Sequence, residues 1–183
     1  MVGVVGVLEV DKRAEMGFGR PGEDLLLIGG ERGELWASEV LYLLTGREFG
    51  HPPRLDLGRE KAVQEAIRDL IQRGLTRTAH DVAEGGLLLA LAEMTFPYGV
   101  GATVEVREEG LEALFGEAPS RVLFTVEKTR LQEATLLLEE RGLPYRVLGE
   151  TGGKSLTVLT PGGVLEWSLE ELLSAWKAPL REV

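Results

Sequence analysis

Residues 79–94 run Ala-His-Asp-Val-Ala-Glu-Gly-Gly-Leu-Leu-Leu-Ala-Leu-Ala-Glu-Met, and few folds accommodate such a segment. Adjacent glycines let a backbone or an anion approach closely, because no Cβ intervenes. The stretch after them is apolar on most faces, which predicts a sandwiched helix over residues 85–94. The first N–H groups of a helix have no internal partner and carry partial positive charge, so phosphate is a natural guest there. Two roles stay open from these residues alone. Either Asp81 or His80 caps the helix while Gly85 and Gly86 serve packing, or the glycines bring the helix N-terminus to a phosphate.

The rest of the chain alternates strand-like and helix-like segments. Strands are expected at 2–10, 24–28, 76–79, 102–106, 121–126, 145–148, 155–159 and 164–167. Ser38 is expected to cap a helix through Leu44 that Gly46 ends. The clearest helix is 55–73, where Ala62, Val63, Ala66, Ile67, Leu70 and Ile71 form one apolar stripe. Further helices are expected at 110–115 and 129–141, and Ser168 with Glu171 reads as a capping box for a last one. Pro161-Gly162-Gly163 predicts a tight turn, and several neighbouring strands look hairpin-like. The fold class that follows is α+β: a mixed β-sheet with helices packed on it.

Length and composition bound the function. A chain of 183 residues suits one domain, or one domain with a short extra segment. The net charge of −10 argues against nucleic acid as a partner, which would need a basic face. No apolar run reaches membrane-spanning length, and the apolar start lacks the basic region of a signal peptide. With no cysteine, disulfides, thiolate chemistry and cysteine-based zinc sites are excluded. Absent asparagine, scarce glutamine and an excess of arginine over lysine fit a thermophilic source. No P-loop, paired Asp cluster or nucleophile with a base beside it is present, so no catalytic residue and no metal ligand set is assigned.

Three stretches carry a resemblance. His80-Asp81-Val82-Ala83-Glu84-Gly85-Gly86-Leu87, with the Ala90–Glu93 helix after it, is similar to a His-Asp-Val-Ser-Asp-Gly-Gly-Leu signature. Gly33-Glu34-Leu35-Trp36-Ala37-Ser38-Glu39 is similar to Gly-Glu-Leu-Gly-Gly-Ser-Glu. Phe115-Gly116-Glu117 with Ser120-Arg121 lies where the pattern has Gly-Glu-Ser-x-x-Arg. All three resemble the C-terminal domain of the aminoimidazole ribonucleotide (AIR) synthetase superfamily, most closely the last such domain of the phosphoribosylformylglycinamidine synthases. The resemblance covers roughly residues 2–165.

That resemblance implies a part in ATP-dependent amidation. Formylglycinamide ribonucleotide, ATP and glutamine-derived ammonia give formylglycinamidine ribonucleotide, ADP and phosphate. ATP and Mg are implied for the full enzyme, with neither held by this domain alone. Residues 1–20 would be the tail strand of a preceding ATP-type domain plus a connector, and residues 21–183 the AIR synthetase-related domain. The implied partners are the upstream domains of the same synthetase, a glutaminase subunit and a small accessory subunit, in the cytoplasm. Apolar surface left uncovered would favour self-association of the isolated domain.

The phosphate- or nucleotide-binding candidates are His80, Asp81, Gly85, Gly86, Glu117, Ser120 and Arg121. His80 is expected as a hydrogen-bonded loop histidine before a proton carrier, and Asp81 as a cap or His orienter before a magnesium ligand. Arg121 could clamp a phosphate or pair with Glu117. Ala118 and Pro119 depart from the family loop, removing a hydroxyl and a backbone donor. The departure points to a degenerate or auxiliary nucleotide site. Trp36, Trp167 and Trp176 are expected in core or interface packing.

Overall fold

The computed structural model describes residues 3, 5–7, 9–30 and 32–181, with side chains followed to residue 179. Seven strands form one sheet: β1 (Asp24–Ile28), β2 (Ala79–Asp81), β3 (Ala102–Glu105), β4 (Val122–Val126), β5 (Tyr145–Thr151), β6 (Ser155–Thr160) and β7 (Gly163–Ser168). Their order is β2-β4-β1-β5-β3-β6-β7. All neighbours are antiparallel except β3 and β6, which run parallel, so the sheet is mixed.

β1 explains the layering. Leu25, Leu26, Leu27 and Ile28 are all fully buried, an uninterrupted run that only a sheet covered on both faces can bury. Because side chains alternate along a strand, Leu25 and Leu27 enter one apolar cluster and Leu26 and Ile28 the other. The first cluster includes Leu87, Leu91 and Met94 of α3 (Gly86–Thr95) and Ala113 of α4 (Leu111–Phe115). The second includes Val63, Ala66 and Leu70 of α2 (Leu57–Gln72) and Leu137 and Leu138 of α5 (Leu131–Glu140). Each such fully buried leucine contributes roughly 1.5–3 kcal/mol. Seven of the ten α3 residues are buried, as its apolar sequence requires.

Local signals set the helix ends. Ser38 Oγ accepts from the Leu41 N–H at 3.2 Å to open α1 (Glu39–Thr45), and Gly46 closes it in a left-handed turn. Asp56 Oδ1 accepts from the Arg59 N–H at 3.0 Å to open α2. The reciprocal Ser168–Glu171 box opens α6 (Leu169–Lys177).

Three expectations differ. The predicted strand over 2–10 falls partly outside the described residues; residues 3, 5–7 and 9 are in no strand, and Val10–Lys12 forms a single 3-10 turn. The strand expected at 76–79 lies instead at Ala79–Asp81, because its pairing with β4 takes in the His-Asp pair. Only β6 and β7 make a hairpin of chain neighbours; β3 inserts between β5 and β6 and separates them. Of the three tryptophans, Trp167 packs on the core, while Trp36 and Trp176 keep 54% and 47% exposure beside Phe49 and Phe96. No described helix is long and apolar enough to cross a membrane.

Candidate functional site

The three motif-bearing stretches meet at one end of β1. Beyond Ile28 the chain turns, and Gly33 presses so tightly on the 115–121 loop that a Cβ there would lie 2.2 Å from the Gly116 carbonyl carbon. Glu34 and Glu117 then exchange both backbone hydrogen bonds at 2.9 Å. From the third stretch, Gly86 (φ 69°) packs with its would-be Cβ 2.5 Å from the Phe115 carbonyl carbon. Backbone atoms cannot yield as a side-chain tip can, so glycine is required at both contacts.

Glu117 locks this junction. Its Oε1 accepts from the Gly85 N–H at 2.9 Å and from the Glu39 N–H at 3.1 Å. These donors stand at the starts of α3 and α1, where orphan N–H groups and the helix dipole favour negative charge. One carboxylate thus ties two helix starts to the third loop. Neither His80 nor Asp81 caps α3, contrary to the packing alternative in the sequence; Gly85 holds the N-cap position, with no side-chain cap.

The remaining candidates divide by exposure. His80 projects inward, its side chain 10% exposed, with Nδ1 2.6 Å from the Asp81 carbonyl oxygen. Its enclosed Nε2 lies 3.2 Å from Glu93 Oε2 of α3, without a well-directed hydrogen bond. The Asp81 carboxylate, on the edge strand beside it, is 76% exposed. Ser120 sits in a left-handed conformation (φ 61°) and donates to Glu60 Oε2 at 2.6 Å. That bond first, and one from Gln64 second, hold the Glu60 carboxyl below its ordinary value. Arg121 is buried; its Nε donates to the Gly30 carbonyl at 2.9 Å and an Nη to the Gly116 carbonyl at 2.8 Å. Burial lowers its pKa to about 10. Its fork therefore ties the Gly30 turn to the Gly116 turn.

Asp81–Glu84 and Glu117–Val122 wall a cavity of about 570 Å³, with Leu55 and Glu60 opposite. That size suits a small ligand. Among the described residues no group of three or more His, Asp or Glu side chains converges as a metal set would. The exposed Asp81 could complete a cation site whose other ligands came from elsewhere. Glu93 and Glu60 went unnoticed in the sequence: they lie 13 and 60 positions from His80 and Ser120, and no local spacing marks them.

Two alanine substitutions separate close packing from backbone strain. Gly86 and Gly46 have nearly the same left-handed φ, 69° and 67°, but nothing lies within 4 Å of a Cβ at Gly46. Gly46→Ala should cost about 1–2 kcal/mol. Gly86→Ala should cost a further ~1–3 kcal/mol of overpacking. Urea unfolding measures both, and equal losses would show that Gly86 is needed for its dihedral alone.

Comparison with known proteins places this geometry. The chain is 97% identical over all 183 residues to the phosphoribosylformylglycinamidine synthase subunit PurL of Thermus thermophilus, and 42% identical over 181 residues to that of Moorella thermoacetica. It spans 25% of the length of each of these curated relatives. The structure of T. maritima PurL complexed with FGAR superposes with a TM-score of 0.76 at 22% identity, over 89% of this chain and 30% of that one. A chain of the HypE-HypF complex superposes at 0.61 and 18% identity, over 85% of this chain and 54% of that one. Both share the fold. The family model for the AIR synthase related protein C-terminal domain matches residues 20–160, from just before β1 to the end of β6, and the chain belongs to that family.

Proposed function

We propose that this chain is the terminal domain of a synthetase that converts formylglycinamide ribonucleotide, ATP and glutamine-derived ammonia to formylglycinamidine ribonucleotide, ADP and phosphate. The observation that carries it is the 97% identity along the whole chain to a quarter of the Thermus thermophilus subunit. Residues 1–20 then continue from a preceding ATP-type domain, and residues 21–183 form the present one. A glutaminase subunit and a small accessory subunit complete the cytoplasmic assembly; the related T. maritima PurLQS structure supports such a complex.

The chemistry of the junction favours a supporting role for this copy. Glu117 occupies helix-start N–H groups that an anion would otherwise seek, and Arg121 is engaged by backbone carbonyls. ATP and magnesium are held mainly by the upstream domains, and magnesium supplies neutralisation of phosphate charge there. Toward that group this domain offers the exposed Asp81 carboxylate and the backbone of the 81–86 turn. His80 and Glu93 hold that turn from behind. The same features suit a second role, a noncatalytic module bordering an auxiliary nucleotide. A third role is a small enzyme acting alone within the same ATP-dependent superfamily.

Magnesium- and ammonia-dependent ADP formation, with formylglycinamide ribonucleotide present, tests this. We expect no turnover by the chain alone and turnover once the upstream domains are added in trans. Turnover by the chain alone would overturn the fragment role. Silence in both mixtures beside an active intact subunit would leave only the noncatalytic module.

The uncovered apolar surface predicts self-association. Trp36, Tyr42, Leu43, Leu44, Phe49, Leu55 and Leu57 are all more than two-fifths exposed, and α1 buries none of its residues. Sedimentation should show mass rising with concentration; a monomer throughout would contradict this.

A further inference from the structure

The 118–121 stretch borders two adjoining cavities. Beside the larger one, and sharing Pro53 and Ala118–Arg121 with it, lies a cleft of about 200 Å³ whose other described walls are Gly30, Arg32, Glu34, Arg54, Asp56 and Arg59. Among the described residues, Arg32, Arg54, Arg59 and Arg121 line it, with Glu34 and Asp56 as the acidic side chains. The described lining thus carries more cations than carboxylates in a chain of net charge −10. Its charges are not equally available. Arg32 lies 3.4 Å from Glu108 and 3.7 Å from Glu112. Arg121 is engaged with the Gly30 and Gly116 carbonyls. The Asp56 carboxylate is committed to capping α2. The exposed guanidinium groups of Arg54 and Arg59 have no hydrogen-bond or ion-pair partner among the described residues.

The loop itself supplies few donors. Ala118 has no hydroxyl, Pro119 has no N–H, and the Ser120 hydroxyl donates to Glu60. An oxyanion here would therefore depend on side-chain cations from the facing segment. Guanidinium groups suit that task, because their planar forks match phosphate oxygens bidentately. We propose that Arg54 and Arg59 form a phosphate-binding site, taking inorganic phosphate or the terminal phosphate of a nucleotide. This rests on the nucleotide-bordering role given to the loop above. It moves the anion from the helix starts, which Glu117 fills, to the adjoining arginine-lined cleft.

The arginine Nε–H resonances of the 183-residue chain report binding directly. They would be followed during titration with inorganic phosphate at constant ionic strength, with ADP, adenosine and chloride as separate arms. Phosphate and ADP should shift Arg54 and Arg59 saturably, and adenosine and chloride should not. Tighter binding of ADP than of phosphate identifies a nucleotide as the source, and equal binding identifies free phosphate. Replacing both residues by alanine should weaken phosphate at least about tenfold, as loss of charge-assisted hydrogen bonds does. The urea midpoint should stay unchanged, since both side chains are exposed. A double Lys variant, which keeps charge but loses the fork, should fall between.

Linear shifts like those in chloride would overturn the site. So would saturable shifts only at Arg13, Arg20, Arg77 and Arg130, which line the separate 630 Å³ cavity. Absence of phosphate binding beside restored synthetase activity in trans sinks this site alone. Failure of that restoration sinks the terminal-domain assignment, whatever phosphate does.

Discussion

Contact between three backbone turns at Gly33, Gly86 and Gly116 is the constraint on which the candidate site depends. Backbones approach there at distances that exclude a Cβ, and such proximity sets the relative position of everything attached. Close approach by itself gives no direction. The Glu117 carboxylate supplies it, because one oxygen receives N–H groups from the starts of both α1 and α3. A charged acceptor at two helix starts forms hydrogen bonds about twice as strong as neutral ones.

This arrangement has a functional consequence. Helix starts are ready-made anion sites, and here a side chain of the protein already fills them. The site's cations are likewise sorted by use. Arg121 is buried and turned to carbonyls, while Arg54 and Arg59 face an open cleft without partners among the described residues. The phosphate site proposed at Arg54 and Arg59 thus lies outside the motif itself. His80, enclosed against Glu93, supports the turn that presents Asp81 to solvent. The domain contributes the cavity walls and the exposed carboxylates of Asp81 and Glu84.

Much of this was legible in the residues. The caps at Ser38 and Ser168 act within one helical turn, so local signals placed both ends of α1 and the start of α6 closely. The apolar stripe placed the start of α2 to within two positions without showing the Asp56 cap. The apolar sequence of α3 signalled a sandwiched helix, whereas 24–28 was legible as a strand but not as one covered on both faces. Strand order was not legible, because β1 pairs with β4 and β5 across about a hundred residues and β3 inserts beside β6. The family-like motifs named the segments that converge. They did not say that Glu117 faces backbone N–H groups or that Ser120 reaches Glu60, since those contacts depend on packing between distant elements. The cap expected from Asp81 or His80 failed because the pairing of β2 with β4 carries both residues into the sheet, away from the helix start.

Amide hydrogen exchange at Gly85 and Glu39 tests the Glu117 bridge most directly, comparing the native chain with Glu117→Ala. If one carboxylate joins the two helix starts, both amides lose protection together while the β1 core amides keep theirs. Protection lost at one amide only, or unchanged at both, would mean that the glycine contacts alone hold the loops and that Glu117 bridges nothing.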